Sequence, residues 1–413
     1  MATVRAFRAV RPSKEYVDRV MALPYDVMSR EEAVEMAAGN PVSFLHVSRA
    51  EIDLSNEENP YDPGVYQKGK ETLSDFIEQN ILQRETKPML YLYRQVMNGR
   101  VQTGIVGCAA IDEYINDTIK KHELTRVDKE IDRINHFDVC NANTEPVFLA
   151  YREDKRIRSI VEGFAANHDP EYDVTTADGI RHIFWCIAQD DVIEGLIRLF
   201  DDIPNFYIAD GHHRSASACK VGLKRRAENP DFCGEEEFNF FMAVIFPDQD
   251  LRIFDYNRAV KDLNGNTAGE FIAKLKTAGF EIEDRGSSLY EPEAKHNFGM
   301  FLEGKWYKLT AKPEIIPADI IGSLDVSILQ SLVLSPILGI QDPRTDKRID
   351  FIGGIRGLAE LEKRVNQDMK VAFAVYPVRI DDLLAVSDQG KIMPPKSTWF
   401  EPKLGSGLFI HEL

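Results

Sequence analysis

A chain of 413 residues, 44% hydrophobic and 28% charged, has the composition of a soluble globular protein and is too long for one ordinary core. Its net charge of −17 argues against a broad basic face, and so against DNA as a partner, while leaving room for a local basic pocket. Five cysteines without CxxC spacing, no run of ~18 apolar residues and no apolar signal core after Met1 together read as a cytoplasmic protein with reduced thiols and no membrane span.

Along the chain, Val4–Val10 reads as a strand and Ser13–Met21 as a short helix. Pro24-Tyr25-Asp26 is a turn or a ligand-facing loop. Ser29 and Glu32 form a capping box for a helix to about Ala38. Ser43–Val47 reads as a second strand, and the acidic, turn-rich Glu51–Tyr61 as a surface loop. Asp62-Pro63 has the N-cap and first-turn chemistry for a helix to about Leu82. Met89–Met97 and Arg100–Ile111 flank Asn98-Gly99, a strong hairpin signal.

Lys120, Lys121, His122 and Arg126 form a local basic cluster suited to a small polyanion such as a nucleotide. Glu123 within it stays ionised among cations, and a carboxylate against a substrate hydroxyl is a general base. The same residues equally suit the solvated start of a helix over Val127–Asn141. Glu145–Arg152 follows as a strand and Arg156–Ala166 as a helix. Tyr172–Thr176 and His182–Ile187 read as a strand pair with His182 and Trp185 in the core. Asp190–Phe200 is an amphipathic helix.

Phe206–Ala209 then reads as a buried strand ending in Asp210-Gly211-His212-His213-Arg214, with a helix of small residues after it. Strand, tight polar turn and helix build an anion site, because the helix N-terminus offers unpaired N–H groups and partial positive charge. Gly211 permits φ > 0 and close approach of a ligand. Arg214 would sit in the first turn, where the helix dipole disfavours a cation; a bound phosphate or carboxylate removes that conflict. Asp210 also suits a plain N-cap, bonding the His213 N–H. A transition-metal chelate of Asp210, His212 and His213 fits poorly, since adjacent helical residues diverge by ~100°.

Phe238–Phe246 reads as a buried strand, turning through Pro247–Asp250 into a second over Leu251–Arg258. Beyond it come a helix over Ala268–Ala278, a hairpin of His296–Leu302 with Lys305–Thr310, and helices over Val326–Leu334 and Ala359–Asn366. Ile349–Ile352 and Lys370–Tyr376 read as strands, and Ile380–Ala385 starts a last helix. The tail Met393–Lys403 carries Lys396, Ser397, Thr398 and Lys403 among prolines and aromatics. It suits either a loop closing over phosphate or a staple of Trp399 and Phe400 onto the core.

The Asp210–Arg214 motif resembles the nucleotide-binding signature of the ParB/sulfiredoxin superfamily, which includes the free-serine kinases. More widely, Pro24–Val27, Lys121–Thr125, Ala209–Arg214 and Pro394–Lys403 resemble an uncharacterised bacterial and archaeal family. The resemblance implies an α/β fold: residues 1–250 as a mixed-sheet, ParB/sulfiredoxin-like domain with a large insertion, and 251–413 as a smaller α+β region. It implies ATP or ADP with Mg²⁺, Gly211, His212, His213, Arg214, Lys121 and Lys396 toward the nucleotide, Asp210 toward the metal, and Glu123 and Asp210 as catalytic residues. The expected activity is that of a small-molecule kinase acting on a serine-like, hydroxyl-bearing metabolite. A non-enzymatic, nucleotide-responsive regulatory module and a metal-dependent hydrolase are the alternatives. A homo-oligomer stays open.

Overall fold

A computed structural model describes residues 2–55 and 59–413. The middle of the expected acidic loop, residues 56–58, lies outside the described residues. The chain forms two compact units. The first comprises Met1–Lys121, Thr125–Leu251 and Pro402–Leu413; the second comprises His122–Leu124 and Arg252–Glu401. The α/β expectation holds, with a large mixed sheet in the first unit and a separate antiparallel sheet in the second.

The first unit is built on an eight-stranded sheet. From edge to edge its strands are Ile119–Lys120, Phe206–Asp210, Val147–Tyr151, Phe240–Pro247, Arg100–Ala110, Leu90–Met97, Arg181–Ile187 and Tyr172–Thr175. Two pairings are parallel, Phe206–Asp210 with Ile119–Lys120 and Phe240–Pro247 with Val147–Tyr151; the others are antiparallel. The central strands are apolar on both faces, as strands covered on both sides must be. Their side chains join Phe137, Phe164, Leu196 and Val221 from the surrounding helices in one core.

Local chemistry sets several elements as expected. Asn98 (φ 51°) and Gly99 (φ 77°) both take the left-handed conformation that a tight two-residue hairpin requires. Ser29 Oγ accepts from the Glu32 N–H while Glu32 Oε2 accepts from the Ser29 N–H, closing the capping box of helix Arg30–Ala37. Asp62 caps helix Pro63–Glu78 by accepting from the Gly64 N–H at 2.9 Å, with Pro63 in the first turn. His182 and Trp185 are buried on strand Arg181–Ile187.

Three expectations fail for identifiable reasons. Val4–Val10 is not a continuous strand: Arg5 bridges to Cys108 and Phe7 to Met89, so the segment changes partner before a ladder can form. The strand there is Val10–Pro12, against Leu82–Arg84. Ser43–Val47 folds instead into helix Leu45–Ser48, which buries Leu45 and Val47 and packs on helix Pro63–Glu78, so packing overrides β-propensity. Pro247–Asp250 does not turn a hairpin. Asp248–Asp250 is a 3₁₀ turn, pinned where Asp248 accepts from the Glu153 N–H, and the chain then leaves this sheet.

The second unit carries a six-stranded antiparallel sheet in the order Phe280–Gly286, Lys305–Ala311, Asn297–Leu302, Val371–Val375, Tyr256–Val260, Ile349–Gly353. Helix Leu358–Gln367 packs Leu361 against Ala259, Trp306, Ile352 and Ala374. Strand Ile253–Phe254 pairs with Trp399–Phe400. The expected helix over Val326–Leu334 appears as Asp325–Leu329 continued by a π-turn through Leu334. Among the described residues, no helix is long and apolar enough to cross a membrane.

Candidate functional site

Strand Phe206–Asp210 delivers Asp210 to the end of the first unit's sheet. Gly211, at φ +94°, turns the chain directly into helix His212–Glu228. A side chain at position 211 would be strained, and its Cβ would stand 3.2 Å from Arg214 Nε. The plain capping role of Asp210 is not realised. Its Oδ1 accepts from the Gly211 N–H at 2.7 Å and its Oδ2 holds the Lys403 ammonium at 2.9 Å, so the helix begins without a side-chain cap. Burial by itself would raise the Asp210 carboxyl, but Lys403 and Arg214 together hold it well below the usual carboxylate range.

Arg214 is 3% exposed in the first turn of that helix. Its Nη1 donates to the Pro146 carbonyl at 2.6 Å. Its Nη2 lies 3.8 Å from Asp210 Oδ1 and 3.9 Å from Asp26 Oδ2, beyond ordinary hydrogen-bond length. Its Nε has no hydrogen-bond partner. Burial opposes the charge on Arg214, and Asp26, Asp210 and Glu145 more than restore it.

Behind Arg214 lies a buried chain of alternating charge. Glu145 Oε1 accepts from the Tyr25 N–H at 3.1 Å and from Ser406 Oγ at 2.8 Å. Its Oε2 has no hydrogen-bond partner and sits 3.9 Å from Arg133 Nη1. Burial raises the Glu145 carboxyl against the pull of Arg214 and Arg133. Arg133 donates from Nε and reaches with Nη2 to Asp132 Oδ2, at 3.1 and 3.0 Å, and its guanidinium lies 3.9 Å from the centre of the Tyr25 ring. Tyr66 completes the row by donating to Asp132 Oδ1 at 3.1 Å.

His213 Nε2 accepts from the Arg126 N–H at 2.9 Å, so the neutral ring carries its proton on Nδ1. Burial lowers the His213 pKa and favours that neutral form. His212 is buried beside it in sequence. Lys121 lies 3.8 Å from Asp117 and over the Tyr114 ring. Thus Asp210, Gly211, His212, His213 and Arg214 form one turn of the first unit, joined there by Lys403. Glu123 and Lys396 belong to the second unit. In that unit His122 Nε2 meets Thr398 Oγ1 at 3.2 Å, and Lys396 stands over the Tyr256 ring with φ 58°.

A family model described as "Protein of unknown function (DUF1015)" matches residues 4–327. The chain belongs to the DUF1015 family. That bears out the resemblance to an uncharacterised family drawn from the motifs. No curated protein matches the DUF1015 chain. Similar solved structures include a free serine kinase in complex with AMP, 15% identical at a TM-score of 0.37, covering 73% of this chain and 92% of that one. A conserved hypothetical protein from Pyrococcus furiosus is 15% identical at a TM-score of 0.35, covering 73% and 95%. SbnI from Staphylococcus aureus, truncated at its C-terminus, is 10% identical at 0.39, covering 74% and 86%.

Sequence reasoning missed Glu145 and Arg133, and missed Lys403 as the partner of Asp210. Arg133 reads as one of many charges along a helix, and Glu145 as the first residue of a strand. Only the Pro24-Tyr25-Asp26 turn carried a local signal, because a polar turn between apolar segments stands out where a helix-borne charge does not.

Proposed function

We propose that this DUF1015 protein binds the phosphates of an adenine nucleotide at the N-terminus of helix His212–Glu228, and that it is a phosphotransferase acting on a small hydroxyl-bearing metabolite. The observation that carries the reading is Arg214: a buried guanidinium with an unpartnered Nε, set in the first turn of a helix that has no side-chain cap. Uncapped N–H groups and a helix dipole favour a phosphate there. Gly211 keeps the approach free of a side chain. His213, with its Nε2 committed to Arg126, presents Nδ1–H as a neutral donor.

Asp210 offers the hard oxygen ligands that Mg²⁺ prefers, and Lys403 now holds that place as a fixed cation. With nucleotide bound, Mg²⁺ would supply charge neutralisation at the transferring phosphoryl group. Positioning of the reactants supplies most of the rate in this reading.

Isothermal titration with ATP, ADP and AMP, each with and without Mg²⁺, tests the binding. The wild type should bind at least one of them saturably. Arg214→Lys keeps the charge but loses the planar fork and should weaken binding about tenfold or more. Absence of binding by every nucleotide, or equal binding by a folded Arg214→Lys, removes the assignment. Nucleotide consumption that depends on an added acceptor separates the phosphotransferase from a regulatory module that only binds.

A further inference from the structure

Beneath helix Lys155–Asn167 the sheet of the first unit leaves a cavity of about 140 Å³. Its floor is a row across neighbouring strands, where Tyr151 pairs with Pro247 and Thr103 with Arg94. Pro247 and Thr103 are short, the side chains at the two ends are long, and Arg158, Val161 and Glu162 of the helix roof the space between them. The charged groups here are unequally satisfied. Arg158 donates from Nε to Glu153, from Nη1 to Glu162 at 3.4 Å and from Nη2 to Asp250 Oδ1 at 2.8 Å. Asp250 Oδ2 accepts from the Thr103 N–H at 3.1 Å. Arg94 is half-buried; its Nε donates to Thr103 Oγ1 at 2.8 Å and its guanidinium lies 5.2 Å from the centre of the Trp185 ring. Its Nη1 and Nη2 donate to no group and it makes no ion pair among the described residues. Burial lowers the Arg94 pKa, and the more distant Glu162 and Asp250 do not offset it.

The lining decides the chemistry of a guest. One unpaired guanidinium fork calls for one planar, singly charged acceptor, and a carboxylate meets it with two parallel N–H···O bonds. Val101, Ile105, Val161, Ile245 and Pro247 offer the rest of the surface to an alkyl chain. Val101 is 45% exposed, which puts the mouth of the cavity at its side. A cavity of ~150 Å³ holds a benzene-sized guest, so the ligand has about six non-hydrogen atoms.

The cavity is separate from the Asp210–Arg214 turn. Tyr151 ends the strand whose other end follows Pro146, the carbonyl that accepts from Arg214. The strand's length, at ~3.3 Å per residue, puts about 16 Å between the two places. We infer that this cavity is a further binding site of the protein, for a short aliphatic monocarboxylate of about four carbons. The carboxylate lies on Arg94 Nη1 and Nη2, and the chain lies on Ile105, Val161 and Ile245. The inference stands whether or not a nucleotide binds at Arg214.

The test is a ligand-observed NMR titration of the full chain, without nucleotide, by butyrate, isobutyrate and valerate. Butan-1-ol, butylamine and inorganic phosphate are the counterparts. At least one carboxylate should saturate at millimolar concentration and bind about tenfold or more tighter than every counterpart. Arg94→Lys keeps the charge but loses the fork, and should weaken that binding about fivefold or more. Val101→Glu supplies a competitor from within the chain. Position 101 is exposed and stands diagonally across the hairpin from Arg94, within reach of a long side chain. Its carboxylate would take the Arg94 fork, so the melting temperature should match or exceed the wild type while carboxylate binding is lost. No saturable binding by any carboxylate, equal binding by a counterpart, or full affinity in folded Arg94→Lys or Val101→Glu overturns the inference.

Discussion

Replacing Asp325 by Asn should make the second unit more stable at pH 8 and leave it nearly unchanged at pH 4. Asp325 is 6% exposed, and its two oxygens lie 2.9 and 3.1 Å from the His296 N–H that donates to them. Burial pushes its carboxyl up to about 7; the His296 N–H and Lys295 oppose the shift, and Asp382 adds to it. Because the folded pKa is raised, the native state holds a proton that the unfolded chain has released between pH ~4 and ~7. The stability tied to that proton is complete below the unfolded pKa and is lost as pH rises through the folded one. Some three pH units at ~1.4 kcal/mol each give a total loss of ~4 kcal/mol in the wild type. Asn mimics the protonated carboxyl, keeps an acceptor for His296 and does not titrate. Urea unfolding at half-unit pH steps, followed by Trp306 and Trp399 fluorescence, reads the difference directly. The stability gap between variant and wild type should grow by ~1.4 kcal/mol per pH unit over that window. A gap that stays flat, or one that closes as pH rises, refutes the assignment of a protonated Asp325.

Two further outcomes follow from the first unit. Gly222→Ala places a Cβ 2.4 Å from the Phe238 carbonyl oxygen and 2.6 Å from Ile111 Cδ1, where backbone cannot yield. It should cost at least the upper end of the ~1–3 kcal/mol typical of overpacking, read as a lowered melting temperature; an unchanged melt contradicts the close approach of helix His212–Glu228. Lys403→Met leaves Asp210, whose side chain is 29% exposed, without its ammonium. The expected cost is ~1–3 kcal/mol at pH 7. The folded Asp210 carboxyl is depressed in the wild type, so its contribution is present at neutral pH and lost as pH falls through that low value. The variant's deficit should therefore shrink once the pH falls below the usual carboxylate range, and a deficit that stays constant to the acid limit of folding would argue that Lys403 acts by packing alone.

What the sequence made legible was governed by chemistry between near neighbours. Ser29 with Glu32, Asp62 with Pro63, and Asn98 with Gly99 each carry within a few residues the groups that satisfy or bend the backbone, and each element forms where they place it. The strand, turn and helix around Asp210–Arg214 were legible for the same reason. Ser43–Val47 was not, because a five-residue segment with apolar Phe44, Leu45 and Val47 suits a strand or a buried helix equally and the choice was made by Pro63–Glu78 packing over it. The row Asp132, Arg133, Glu145, Arg214 was hidden for a deeper reason. Its members come from two helices and the approach to a strand, and charge opposition across them leaves no periodic trace.

The segment Pro402–Leu413 has a consequence for how the protein comes into being. It supplies Lys403 to Asp210, Ser406 to Glu145, and a short strand in which His411 and Glu412 pair with Asn143 and Ala142. During vectorial synthesis these are the last residues of the described chain to emerge, after all of Arg252–Glu401. Until then Asp210 and Glu145 wait in a nascent first unit without their final partners. That unit cannot close before Arg252–Glu401 has been made, and its closure is a late, long-range event of the kind that slows folding. A fragment ending at Leu251 would preserve the sheet strands of the first unit and still lack the groups that settle its charged interior.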